Sequence, residues 1–558
     1  MTSLLRFSAA LIALSLTLGG CTKVGTSSTT ETTATNGTTA QSGGNPWTHH
    51  GVLRMANLSE PDSLNPVVGN QQIDSDLAMF WGGFLFNWSD QSKFVPELAT
   101  ELPTLANKGI SADGKTITYH LRQGVLWHDG QPFTSDDVIF TYHAIMSKAN
   151  NVPSTVGYDL IAAIDKLDDH TVRVHLKQSY APFVATFFNQ SGTPYPVLPA
   201  HILAKLPNIN RADFNSRPVG TGPFIMDHWQ RGSQIVFKAN PKYWRGPPKL
   251  NEIQYNPVPS ENTILTQLKS HDIDFEYNVS SANYELVKDI PGTVTTLTPF
   301  TQYGQLGINT SSANLSDVRV RQALWYALNV GEMIQRVTHG VNVPGHTDQP
   351  EFLWAYNPKT PQYSFDPAKA RQLLDAAGWV PGKDGIRTKN GARLALTMAG
   401  VSGSATGSQV SVLAQRYFHD VGVDLEIKNY ISSLFFASFG AGGIIQTGKF
   451  DLAFYSWLNG TDPDDSTLWM CDQFPPHGQN VYRFCNHDLD AAEKIALTNN
   501  DQAARKKAYD KIQDILAENV PAIIVWYNRR VAVANTDFKN FKPAHAVTSF
   551  WNSWEWEI

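Results

Sequence analysis

Cysteine is scarce in this sequence: its 558 residues contain three, at positions 21, 471 and 485. With no second pair beside Cys471 and Cys485, a metal site there is disfavoured, even though His477 and His487 lie nearby. Charge is sparse too, at 17% of residues with a formal net charge of −6. A nucleic-acid partner calls for a clustered basic face, so that class is set aside. Beyond the N-terminus, no run reaches the roughly 18 consecutive apolar residues that span a bilayer. Catalytic signatures are missing as well: there is no Gly-x-Ser-x-Gly elbow and no His-Glu-x-x-His. Residues 403–407 form a Gly/Ser loop without the lysine of a phosphate cradle. A dispersed Ser, His, Asp triad leaves no mark in sequence, so an exported hydrolase stays open as a distant alternative.

What is present begins with the leader. Arg6 supplies a positive n-region and Phe7 to Thr17 an apolar h-region too short for a stable span. Leu18-Gly19-Gly20-Cys21 then resembles the lipobox of bacterial lipoproteins, in which the cysteine thiol takes a lipid by thioether formation and becomes the mature N-terminus. The alternative is an ordinary secretory signal with an incidental cysteine; either implies export. Export suits Cys471 and Cys485, fourteen positions apart, as a disulfide worth about 3 kcal/mol, with two buried thiols as the alternative. Residues 22–48 are dominated by Thr, Ser, Gly, Ala and Asn and read as a flexible tether.

The folded part, expected from His49, is long enough for two or three lobes and alternates strands with helices. Strands are predicted at Gly51–Ala56, Thr116–Leu121, Thr171–Leu176, Ile273–Phe275, Leu394–Met398 and Ala522–Trp526. Helices are predicted after a Ser135 N-cap, at Asn262–Leu268, at Asp317–Leu328, at Pro367–Ala377 closed by Gly378, and at 502–518. No fixed-period repeat is visible.

Several motifs appear in a fixed order. They are Pro61-Asp62-Ser63-Leu64-Asn65-Pro66; Ser111 to Val125 running on to Trp127-His128-Asp129-Gly130 and Asp136-Asp137-Val138; Val219-Gly220-Thr221-Gly222-Pro223-Phe224; Asn240-Pro241 with Tyr243-Trp244; Asp317 to Leu324 with Tyr326 to Asn329; Tyr356-Asn357-Pro358; and Leu373-Leu374 with Ala376 to Trp379. Together they resemble the extracellular solute-binding proteins of peptide and nickel ABC importers, from Gly51 to about Phe541. Most of these motifs read as turns that hold the fold: Asp113-Gly114 as a tight hairpin and His128-Asp129-Gly130 as a second turn. A metal site at His120, His128 and Asp129 is the weaker reading, because a strand histidine and a turn histidine have no shared face. The resemblance implies an α/β, two-lobed periplasmic-binding-protein fold of class II type in its three-domain, peptide-binding form. Domain I is expected from 49–90, 217–300 and 528–558, domain II from 91–216 and domain III from 301–527, with ligand in the cleft between lobes. It further implies a monomeric lipoprotein of the cell envelope, without cofactor, that gives peptides to a permease and its ATPase.

In such proteins a domain III strand offers main-chain partners to the peptide, and an Asp three residues after a Trp pairs with the ligand's ammonium. The corresponding stretch is Tyr455-Ser456-Trp457-Leu458-Asn459-Gly460-Thr461-Asp462-Pro463. Gly460 stands where that Asp is expected, so Asn459 or Asp462 substitutes or the ligand has no ammonium. Tyr303 and Gln305 by the hinge, Phe80 and Trp81 in domain I, and Tyr482 are further candidates for the cleft wall, each equally suited to the core. The acidic group Asp462, Asp464 and Asp465 reads as a solvated turn, with a cation site as the alternative. An oligosaccharide or a nickel chelate is the alternative ligand.

Overall fold

The computed structural model describes residues 44–189, 194–545 and 548–558. The leader, Cys21 and the tether up to residue 43 lie outside them. Ordered contacts begin before His49: the Asn45 amide donates to Asp537 Oδ2 at 2.6 Å and Trp47 stacks on His271 at 3.7 Å. These partners are hundreds of residues away in sequence, so composition alone assigned this stretch to the tether.

Chain order opens with β1 (Val52–Asn57), followed by a hairpin of β2 (Phe86–Trp88) and β3 (Phe94–Pro96). A small antiparallel sheet of β4 (Thr116–His120), β5 (Ile161–Asp168) and β6 (Thr171–Leu176) comes next. Then come β7 (Phe224–Gln230), β8 (Gln234–Ala239), β9 (Glu252–Pro257), β10 (Phe275–Val279) and the long β11 (Thr293–Ile308). A short β12 (Val343–Pro344) precedes a flap of β13 (Val380–Pro381), β14 (Arg387–Lys389) and β15 (Ala392–Arg393). The chain closes with β16 (Ala395–Val401), β17 (Asp424–Tyr430), β18 (Leu452–Leu458) and the long β19 (Ala522–Asn535).

Among the described residues, eleven strands join in one sheet, in the order β17-β16-β18-β11-β19-β10-β1-β9-β8-β7 with β12 against β19. Two lobes hang on it. One hydrophobic core combines Leu53 to Tyr277 with Ala532 to Ile558; two others draw on residues between Tyr303 and Tyr527. The long β11 and β19 run antiparallel through both, from Thr293↔Asn535 to Gly307↔Ala522, with register breaks between Pro299 and Tyr303 and again at Gly304. At the first break Arg530 is buried and lies over the Phe300 ring at 3.7 Å. This is the α/β two-lobed architecture the sequence implied. β19 extends well past the predicted Trp526, because its second half crosses into the other core.

Local reasons for these elements follow the sequence with instructive shifts. Val172, Val174 and Leu176 of β6 are buried and alternate with more exposed neighbours, the period-2 pattern of a half-buried strand. The helix Ser135–Met146 is capped by Thr134, whose hydroxyl accepts from the Asp136 amide while Asp137 answers the Thr134 amide. Ser135, the expected cap, instead donates to the Asp168 carbonyl at 2.7 Å. Asp274, expected within a strand, sits before β10 and clamps Arg54 at 2.8 Å. The helix Pro367–Ala376 ends where expected, with Gly378 at φ +85°.

The Val219–Phe224 motif has a clear steric origin. A Cβ on Gly220 would stand 1.7 Å from the Trp81 carbonyl oxygen, and one on Gly222 would stand 2.6 Å from the Trp81 carbonyl carbon. The Gly222 amide donates to that same Trp81 oxygen at 2.9 Å. His128 completes the lock: its Nδ1 accepts from the Gly220 amide at 3.1 Å and its Nε2 faces the Gly222 carbonyl at 3.0 Å. Burial pushes the His128 imidazole down to about 4, so it is neutral and both nitrogens are used. A metal at His128 is thereby excluded. Among the described residues no helix is long and apolar enough to cross a membrane.

Candidate functional site

β18 has one covered edge and one partly open edge. On the covered side, seven residues from Leu452 to Leu458 pair with Ile308 to Gln302 of β11. On the other side β16 pairs only at Met398↔Leu452 and Ala399↔Ala453, while its far edge runs with β17 from Ala395 to Val401. From Phe454 to Leu458, no other strand is bonded to that side among the described residues. Buried strands do not leave such an edge bare without a reason, because unpaired N–H and C=O groups recruit another backbone.

Side chains alternate around this edge. The Tyr455 hydroxyl points inward to the Tyr482 hydroxyl at 3.0 Å, and Gln305 Nε2 donates to the same Tyr482 oxygen at 2.8 Å. Trp469 stacks on Tyr482 at 4.6 Å, and Tyr303 is fully buried beside them. Burial lifts the Tyr455, Tyr303 and Tyr482 phenols above their ordinary range; Tyr455 and Tyr482 donate hydrogen bonds, while the Tyr303 hydroxyl has no partner among the described residues. Tyr303, Gln305 and Tyr482 therefore form a polar floor beneath the strand rather than a wall touching solvent. Ser456 points the opposite way and is exposed; Trp457 and Leu458 are half-buried.

A recess opens beside Tyr455, Ser456 and Trp457. Its far wall comes from Phe436, Ser438 and Phe439, and its rim from Gln446, His477 and Gln479. Phe436 and Phe439 are exposed, at 50% and 41%. Apart from His477, weighed above only as a neighbour of the two cysteines, none of these residues was singled out in sequence; the signal was two phenylalanines in the otherwise small-residue run 436–443. Residues 443–449 carry a Gly-x-x-x-x-Gly-Lys spacing, but Phe450 follows the lysine and the segment leads into β18, not a helix. It lacks both the hydroxyl and the helix N-terminus of a phosphate cradle.

A second cavity lies between the lobes. Trp88, Lys93 and Phe94 of the β2–β3 hairpin line one side, Trp354, Asp462 and Arg505 the other. Asp462 is not free to meet a ligand cation: Arg505 grips it in a bidentate pair at 2.8 and 2.6 Å, and Arg505 Nε donates to the Ala496 carbonyl. Next to this cavity the lobes touch. The Tyr180 hydroxyl donates to Asp464 Oδ2 at 2.8 Å, and the Ala181 amide donates to the Leu497 carbonyl at 2.7 Å.

Several residues predicted from sequence sit elsewhere. Trp81 is fully buried, edge-on to Phe214 at 5.6 Å, and Phe80 stacks on Phe550; both belong to the first core. Asn459 is buried, and its Nδ2 donates to the Asp348 carbonyl at 2.7 Å. The acidic stretch is not a solvated turn. Asp465 is buried and Asp464 half-buried, and Asp465 Oδ2 accepts from Gln349 at 3.0 Å and from Trp469 at 3.2 Å. Burial, with Asp348 and Glu493 close by, drives the Asp465 carboxyl far above its usual range, and Glu493 likewise. Buried acids held this close share protons. Cys471 and Cys485 form a disulfide, which removes them as ligands from the one Cys/His cluster found among the described residues.

Comparisons with known proteins agree with this fold. Residues 93–475 match the family model described as bacterial extracellular solute-binding proteins, family 5 middle. The oligopeptide-binding protein AppA of Bacillus subtilis is 25% identical over 530 residues, which is 94% of this chain and 94% of that protein. The structure of NikZ from Campylobacter jejuni with Ni(L-His) superposes with a TM-score of 0.73 at 25% identity, covering 92% of this chain and all of that one. The Bacillus subtilis AppA structure with a nonapeptide gives 0.70 at 24% identity, covering 90% and 98%.

Proposed function

The chain belongs to the bacterial extracellular solute-binding proteins of family 5, and from that premise we propose that it captures peptides along the open edge of β18 and delivers them to an ABC permease and its ATPase. The chain is a solute-binding protein and not an enzyme. In this reading it works as a monomer held to the cell envelope by a lipid on Cys21, after removal of the leader. The three-domain division given above is part of the proposal. It is supported by the core that joins residues before Tyr277 to residues after Ala532.

The observation that carries the peptide reading is the free edge from Phe454 to Leu458 facing the recess. Every peptide offers the same alternating N–H and C=O groups, so an added strand gains affinity without regard to side chains. Phe436, Phe439 and Trp457 supply aromatic surface for whatever side chain enters. The nonapeptide in the AppA complex and the Ni(L-His) of the NikZ complex belong to those proteins; the first supports a peptide here.

Native mass spectrometry of the full chain, purified without denaturation and then made to release its contents, tests this. A ladder of co-purifying peptides is expected. A sugar, a metal chelate, or an empty protein that ignores a peptide library would overturn the peptide assignment.

A further inference from the structure

The recess beside β18 carries no formal charge. Its walls are aromatic (Phe436, Phe439, Trp457), amide (Gln446, Gln479) and hydroxyl (Ser456), and among its lining residues His477 at the exposed rim is the one titratable base. The amides already engage one another: Gln446 Nε2 donates to Gln479 Oε1 at 2.8 Å.

The loop that follows the strand has carboxylates, but none of them lines the recess. Asp462 is gripped by Arg505, and Asp464 accepts from Tyr180 and from Ser466 at 2.7 Å. Asp465 is 2% exposed, beneath Trp469 and Gln349. Gly460, two residues past the end of the strand, has no side chain to offer. An ammonium laid along the strand would shed its water against rings and amides and find no counter-charge among the residues that line the recess.

We infer that the part of the ligand held in this recess is uncharged, so that the protein selects peptides whose amino terminus is blocked by acylation or cyclisation. This rests on the peptide reading above. The aromatic wall takes the blocking group or a side chain, while the free edge takes the backbone. Ser456, pointing outward from the middle of that edge, is the position from which a carboxylate would reverse the preference.

The test uses the full chain and one mixed pentapeptide library in two forms, with free amino termini and N-acetylated, read by isothermal titration. The N-acetylated form is expected to bind at least tenfold tighter. Ser456→Asp is expected to reverse the order, strengthening the free-amine form and weakening the acetylated one. Equal or tighter binding of the free-amine form by the native protein would overturn the inference while leaving peptide capture intact. An unchanged ratio in Ser456→Asp would overturn the placement of the ligand end beside β18. If neither form binds and a head-to-tail cyclic library also fails, the peptide reading falls and this inference with it.

Discussion

Replacing Gly220 by Ala should destabilise the protein severely without touching its ligand. Gly220 does not adopt the left-handed backbone region, so the penalty is steric rather than conformational. The new Cβ would stand 1.7 Å from the Trp81 carbonyl oxygen, whereas real Cβ contacts essentially never fall below 3.0 Å. Opening that gap means moving one backbone away from the other by more than an ångström. The shift breaks the Gly222–Trp81 bond and both His128 contacts, at 2.9, 3.1 and 3.0 Å. Three such bonds at about 0.5–1.5 kcal/mol each, with an overpacking cost of about 1–3 kcal/mol, give a loss of roughly 3–7 kcal/mol. Urea unfolding followed by tryptophan fluorescence measures it, and the fraction that remains folded should bind ligand with native affinity. A loss below about 1 kcal/mol, or a folded variant with tenfold weaker binding, would refute the assignment of this motif to the fold rather than the site.

Burial sets a pH dependence that Glu276→Gln should remove. Burial raises the Glu276 carboxyl to about 8, while the unfolded chain loses that proton near the ordinary 4.5. Between those values the folded state holds the extra proton, so stability falls as pH rises through the window, by up to about 5 kcal/mol. The variant should therefore gain on the native protein from pH 5 to pH 8 in denaturant titrations; a constant difference would contradict the cause. Arg505→Ala leaves Asp462 buried without its partner and should cost roughly 3–5 kcal/mol, whereas Arg505→Met with Asp462→Ala should recover much of it in the same assay. Replacing Cys471 and Cys485 together by Ser opens a loop with a sequence separation of 14 and should cost about 3 kcal/mol; unchanged urea midpoints under oxidising conditions would contradict the disulfide.

Much of this fold was legible because its local signals are consistent. Thr171–Leu176 alternates cleanly and forms β6 over that same span, and the Asp317 cap starts a helix where its apolar spacing says one should be. What sequence left obscure depends on distant partners. Trp81 looks like a cleft aromatic until the backbone of Gly220 and Gly222 is found pressed against it. Asp464 and Asp465 look solvated because two of their partners, Tyr180 and Gln349, come from far along the chain. The Trp457 stretch pointed to β18, but neither the departure of β16 after Ala399 nor the wall of Phe436 and Phe439 has a periodic signature.

The most direct test of the account is hydrogen–deuterium exchange of the full chain with and without its co-purified ligand. Backbone capture by β18 predicts that amides between Phe454 and Leu458 become protected on binding, together with the facing segment around Phe436 to Gly440. Protection confined to the interlobe cavity around Trp88, Trp354 and Arg505, with the β18 edge exchanging as before, would contradict it.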